Sequence, residues 1–251
     1  MTAGSGKKAQ LGRKNLFFRN GGIRLNVKRK PVRLLAVLIF TAMLLALLGG
    51  AARPKQLRNA AECYRDNEAA LLYLRSYYPS GSLKATGSGF ILTEDGLLIT
   101  AAHVVSGGGR FTAVQKDESE LELTLVQSDD ETDIAVLRLP EGNYPTVTLA
   151  ETVPHTGSVL RAMGFPIKGT AIITEGLLSA QCVEVSGKNR MMVTCDIVNG
   201  MSGGPILDGY GRVVGVVSGS VRTMDGIHLS VLGEELFQTA REVINRTENE
   251  E

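Results

Sequence analysis

The run Asn199-Gly200-Met201-Ser202-Gly203-Gly204-Pro205 sets one serine among three glycines. A serine hydroxyl is a poor nucleophile at neutral pH and needs a base within hydrogen-bond reach. Two upstream segments offer the missing partners. Thr100-Ala101-Ala102-His103-Val104-Val105 places a histidine at the end of an apolar strand, and Thr132-Asp133-Ile134-Ala135-Val136-Leu137 places an acid at the mouth of another. An imidazole can take a proton and return it near neutral pH. A carboxylate on its other ring N–H fixes the tautomer and stabilises the imidazolium. Taken singly, the three are a structural histidine, a strand-end cap and a turn serine. Taken together in the order His, Asp, Ser, with these flanks, they point to base, acid and nucleophile.

That order, the thirty-residue interval from His103 to Asp133 and the run Gly87-Ser88-Gly89-Phe90-Ile91-Leu92 carry a family likeness. The chain resembles the chymotrypsin-fold (trypsin-like) serine peptidases, and within them the bacterial HtrA/DegP-type membrane-associated branch, from Thr86 to Leu232. The resemblance implies an all-β domain of two six-stranded antiparallel barrels with a C-terminal helix, and endopeptidase activity on polypeptides. It assigns the oxyanion-binding backbone amides to Gly200 and Ser202. Ser218 stands where the family's serine supports the catalytic acid, although Gly215-Val216-Val217-Ser218-Gly219-Ser220 also reads as a plain core strand. In the family, that strand binds substrate backbone by β-addition, through Ser218, Gly219 and Ser220 here. Asp196, six residues before Ser202, holds the position that sets basic P1 preference in trypsin, and reads equally as a structural cap. Met201 replaces the zymogen aspartate and cannot pair with a freed amino terminus, so activation by clipping is not expected. The PDZ domain common in HtrA proteins finds no room between Leu232 and Glu251.

From Thr86 the pattern is one of short apolar runs separated by turn residues, as in a barrel or sandwich. Strands are expected near 87–93, 97–101, 110–115, 121–128 and 134–139, then near 157–164, 171–185, 190–198, 205–208, 212–219 and 226–232. Asp95-Gly96 marks a hairpin turn. Pro140 to Pro154 reads as the connection between the groups, and Glu234 to Asn245 has apolar residues at helical spacing. Lys55 to Tyr78 also reads as helical, broken by Pro79-Ser80-Gly81-Ser82. The expected organisation is a basic leader (1–33), a transmembrane helix (34–52), a partly helical stalk (53–85), the β domain (86–245) and a tail (246–251).

The net charge of +1 over 251 residues hides an asymmetry. Residues 1–33 carry ten Lys/Arg and no acid, and the remainder has 17 basic and 26 acidic residues. Leu34 to Ala52 are nineteen residues without a charge, long enough to cross a bilayer as a helix. Lys28, Arg29, Lys30 and Arg33 at its start place the N-terminus in the cytoplasm and the β domain outside. A cleaved signal peptide ending near Gly49-Gly50-Ala51-Ala52 is the alternative. Beside a membrane span, the basic leader is better suited to anionic lipid than to nucleic acid. Oligomer formation is left open.

The three cysteines, Cys63, Cys182 and Cys195, have no CxxC spacing, and neither metal nor organic cofactor is implied. A two-residue turn at Lys188-Asn189 would pair Cys182 with Cys195 across two strands, allowing a disulfide, whereas a one-residue change of turn would leave free thiols. A protein of the same fold that holds peptides without cutting them is the rival reading, and the complete His, Asp and Ser set argues against it.

Overall fold

The computed structural model describes residues 56–114, 119–220 and 224–250. The expected leader and membrane span at 1–33 and 34–52 lie outside these. Among the described residues, no helix is long and apolar enough to cross a membrane.

Twelve strands form two closed antiparallel barrels. The first contains β1 (Leu71–Tyr77), β2 (Leu83–Ile91), β3 (Leu97–Ala101), β4 (Arg110–Val114), β5 (Glu120–Asp129) and β6 (Ile134–Arg138), in the spatial order β1-β2-β3-β6-β5-β4. The second contains β7 (Val159–Ile167), β8 (Thr170–Val185), β9 (Lys188–Val193), β10 (Pro205–Leu207), β11 (Val213–Ser220) and β12 (His228–Ser230), in the order β10-β11-β12-β9-β8-β7. Every residue of β3 is buried, as are Ile134 to Leu137 of β6, which explains their unbroken apolar runs. Each fully buried Leu or Ile there contributes about 1.5–3 kcal/mol.

The expected stalk divides into parts with different fates. Ala60–Asn67 is a helix, α1, opened by a capping box in which Asn59 Oδ1 accepts from the Glu62 N–H and Glu62 accepts from the Asn59 N–H. Its buried Asn67 donates to the Gly211 carbonyl, and the Tyr64 hydroxyl to that of Ala171, so α1 packs on the second barrel. Leu71 to Tyr77, read as helical, is instead strand β1. It pairs with β2 on one side and β4 on the other and closes the first barrel. Its buried residues Leu71, Leu74 and Ser76 do not alternate strictly, which gave the segment a helix-like spacing. Two unpaired strand edges decided the matter, because each N–H and C=O along them needs a partner.

The β8–β9 turn differs as well. It is formed by Ser186 and Gly187, both at positive φ (53° and 79°), with Val185 opposite Lys188. That is the backbone of a type I′ turn. That turn places Val183 opposite Arg190, and register shifts farther along β8 place Ala180 opposite Met192. Cys182 is exposed, Cys195 is buried beyond the end of β9, and all three cysteines are free. The Cys182–Cys195 pairing is therefore not formed.

A short helix α2 (Ala102–Val105) follows β3, and the closing helix α3 spans Gly233–Glu250. Leu236, Phe237, Ala240 and Val243 bury one face of α3. Its far end reaches the first barrel, where Arg138 Nη2 donates to Thr247 Oγ1 at 3.1 Å.

Candidate active site

His103 lies in α2, where the chain turns sharply after β3. Asp133 ends the turn between β5 and β6 with φ of 64°, a left-handed conformation that aspartate tolerates better than most residues. Both Asp133 carboxylate oxygens are 3.0 Å from His103 Nδ1, and Oδ1 also accepts the His103 backbone N–H at 3.0 Å. The Asp133 carbonyl accepts the Ala102 N–H, so the two segments are joined by backbone and side chain alike. This pairing puts the imidazole proton on Nδ1 and leaves Nε2 as an acceptor. The His103 side chain is 47% exposed and that of Asp133 only 10%.

The second barrel contributes Ser218, whose hydroxyl donates to Asp133 Oδ2 at 2.5 Å. Register along β11 shifts between Val217 and Gly219, opposite Ser230 and Leu229. Such a bulge re-aims one side chain, here that of Ser218. Burial pushes the Asp133 carboxyl up, but the hydrogen bond and charge of His103, the Ser218 hydroxyl and the His103 N–H together outweigh it and hold the carboxyl below its ordinary value.

Ser202 sits half-buried in a tight loop after β9. Gly200 and Gly203 have φ of 93° and 84°, which a β-carbon would oppose. At Gly203 a Cβ would also overlap Thr100 Oγ1 and the Ser88 carbonyl oxygen, so the loop touches the first barrel directly. Ser88 makes the junction: its N–H donates to the Ser202 carbonyl at 2.8 Å and its hydroxyl to the Gly200 carbonyl at 2.8 Å. A Cβ on neighbouring Gly87 would lie 2.8 Å from Val104 Cγ2 and 3.0 Å from the Ser202 carbonyl oxygen. The helix of His103 and the loop of Ser202 thus flank one point of β2. The Ser202 hydroxyl and the His103 ring are not hydrogen-bonded to one another here, and such contacts often tighten only around substrate. Neither the Gly200 nor the Ser202 N–H meets an acceptor among the described residues. Met201 is fully buried.

Asp196 is exposed, and only its carbonyl is engaged, by the Thr174 hydroxyl at 2.7 Å. A Cβ at Gly219 would meet nothing within 4 Å, so β11 borders open space there. Ser220 ends β11 with its backbone opposite His228. His228 Nε2 accepts the Ile197 N–H at 3.5 Å. Ser88 binds the loop to the first barrel, and the Thr100 hydroxyl donates to the Ser88 carbonyl beside it, yet only the Gly-Ser-Gly setting of Ser88 hinted at a close backbone approach. Among the described residues, no group of three or more His, Cys, Asp or Glu is arranged to hold a metal.

Residues 87–216 match the trypsin-like peptidase domain family. The chain is 32% identical over 171 residues to a probable periplasmic serine endoprotease DegP-like of Halomonas elongata, covering 66% of this chain and 36% of that protein. It is 36% identical over 138 residues to the protein of that description in Rhizobium meliloti, covering 53% of this chain and 27% of the relative. Serine endoprotease DegS of Escherichia coli is 30% identical over 176 residues, covering 65% of this chain and 48% of DegS. The chain therefore spans about a quarter to a half of the length of these relatives. The crystal structure of the serine endoprotease from Yersinia pestis superposes with a TM-score of 0.64 at 25% identity, covering 76% of this chain and 68% of that one.

Proposed function

Because the chain belongs to the trypsin-like peptidase family, we propose that it is a serine endopeptidase that cleaves polypeptides outside the cytoplasm with His103, Asp133 and Ser202. The observation that carries this reading is the bond set at Asp133. A buried, ionised carboxylate accepts from the ring and backbone of His103 and from Ser218, an arrangement with little purpose except to orient and charge-stabilise an imidazole.

Ser202 Oγ attacks the substrate carbonyl carbon while its proton passes to His103 Nε2. The imidazolium is stabilised by Asp133, which stays ionised. The carbonyl oxygen becomes an oxyanion and accepts the Gly200 and Ser202 N–H groups, whose missing partners suit that task. When the C–N bond breaks, His103 returns the proton to the leaving amine and Ser202 holds the acyl group as an ester. Water, deprotonated by His103, then releases the acid. Ser218, Gly219 and Ser220 offer substrate a strand edge along β11, with Asp196 at the P1 side-chain pocket. Residues 34–52 anchor the chain in the membrane with residues 1–33 in the cytoplasm, in keeping with relatives described as periplasmic.

The test is labelling of the purified full chain with a fluorophosphonate probe, alongside hydrolysis of an unfolded protein substrate. Wild type should be labelled and active, and Ser202→Ala neither. Labelling that survives in Ser202→Ala would remove Ser202 from its role. A labelled wild type that cleaves nothing would leave a peptide-binding protein instead.

A further inference from the structure

The β8–β9 hairpin belongs to the second barrel, yet two of its side chains reach the first-barrel turn that carries Asp133. Arg190 is only 4% exposed, and its Nη2 donates to the Glu131 carbonyl at 3.1 Å. Its Nη1 donates to the Asn189 carbonyl at 2.7 Å. Lys188 Nζ donates to the carbonyl of Asp130. Two consecutive carbonyls before Asp133 are thus held by two cations from the opposite barrel.

The turn needs outside support. Asp133 adopts a sparsely populated backbone conformation, which persists only where its surroundings over-determine it. Part of that support is internal: Asp129 accepts the Glu131 N–H and the Thr132 hydroxyl, each at 2.9 Å. These bonds use donors of the turn, whereas the carbonyls of Asp130 and Glu131 accept from the second barrel. A guanidinium cannot deprotonate, so a buried one needs acceptors and a counter-charge. The carbonyls supply the acceptors. The guanidinium's charge is felt at Glu235, in the first turn of α3, where burial raises the carboxyl and the attraction of Arg190 is the largest influence opposing that rise.

We propose that Arg190, seconded by Lys188, is a positioning residue that clamps the Asp130–Asp133 turn across the barrel interface and so holds the Asp133 carboxylate on His103. This rests on Asp133 being the catalytic acid. The clamp and the Ser218 hydroxyl come from the same barrel, one holding the backbone of the turn at Asp130 and Glu131 and the other the carboxylate of Asp133.

The experiment compares full-length wild type, Arg190→Ala, Arg190→Lys and Lys188→Ala in two measurements. One is kcat and KM for a peptide substrate; the other is the far-downfield proton resonance of His103 Nδ1, which needs no turnover. Displacement of a catalytic group by about an ångström costs up to roughly 100-fold. Arg190→Ala should lower kcat by about 10- to 100-fold with KM little changed, and shift or broaden the His103 resonance. Arg190→Lys should recover part of both, and Lys188→Ala, nearer the surface and independent of the buried site, should change both in the same sense by less. If Arg190→Ala does not fold, Lys188→Ala and Arg190→Lys decide the matter through the same pair of readouts. Wild-type kcat and an unmoved resonance in the folded variants would overturn the clamp. An inactive wild type whose resonance still moves on Arg190 or Lys188 substitution would keep the clamp and sink the peptidase reading.

Discussion

Replacing Ser218 with alanine deletes the 2.5 Å bond to Asp133 Oδ2 and leaves the rest of the acid's partners in place. Hydrogen bonds to charged groups contribute about 1.5–3 kcal/mol, with the high end reached when an atom is orphaned. Here Oδ2 keeps His103 Nδ1 at 3.0 Å, and Oδ1 keeps both Nδ1 and the His103 N–H. No oxygen is orphaned, so the expected loss is about 1.5 kcal/mol at neutral pH. For a domain of this size that is a fall in Tm of roughly 3–6 °C. The pH dependence follows from the direction of the Asp133 shift. Its folded-state value lies below the unfolded one, so its contribution is full above the unfolded value of about 3.9 and disappears as pH falls through the folded value. Loss of Ser218 shrinks that depression, and the gap between wild type and variant should be widest near pH 7 and close in acid. Urea unfolding at neutral and acid pH, with equal m-values, measures it. A double-mutant cycle with Asp133→Ala isolates the pair. A loss equally large in acid, or undiminished in the Asp133→Ala background, would refute the assignment of this energy to the hydroxyl–carboxylate bond.

Gly203→Ala and Gly81→Ala start from nearly equal φ, 84° and 85°, but only the first would overlap Ser88 and Thr100. Chemical denaturation should show a loss of about 1–2 kcal/mol at Gly81 from backbone strain alone. At Gly203 crowding adds about 1–3 kcal/mol; equal losses would mean that the barrel junction yields freely. Cys182 is exposed, while Cys63 and Cys195 are fully buried and burial pushes the Cys195 thiol up to about 12. Maleimide should therefore add one label to the native protein and three after unfolding. A non-reducing mass two hydrogens lighter, with Cys182 unlabelled, would restore the disulfide and reject the observed register.

What could be read in the sequence was local. The runs Leu97 to Ala101 and Ile134 to Leu137 are apolar because both faces are buried, and a run without alternation still marks a strand. His103, Asp133 and Ser202 were legible as candidates because their local settings (a strand end, a turn entering a core and a glycine loop) occur together in the order His, Asp, Ser. β1 was not legible, since its burial does not alternate and its strand state is completed by pairing with β2 on one side and the more distant β4 on the other. The Cys182 pairing failed because the turn forms at Ser186-Gly187, two residues before the Lys188-Asn189 turn that counting had assumed, and bulges in β8 move the register further. The bulge that aims Ser218 at Asp133 and the reach of Arg190 to Glu131 depend on how the two barrels meet. Residue type and spacing report on neighbours along the backbone, whereas contacts between barrels are set by which side chains the closed barrels bring to a shared boundary.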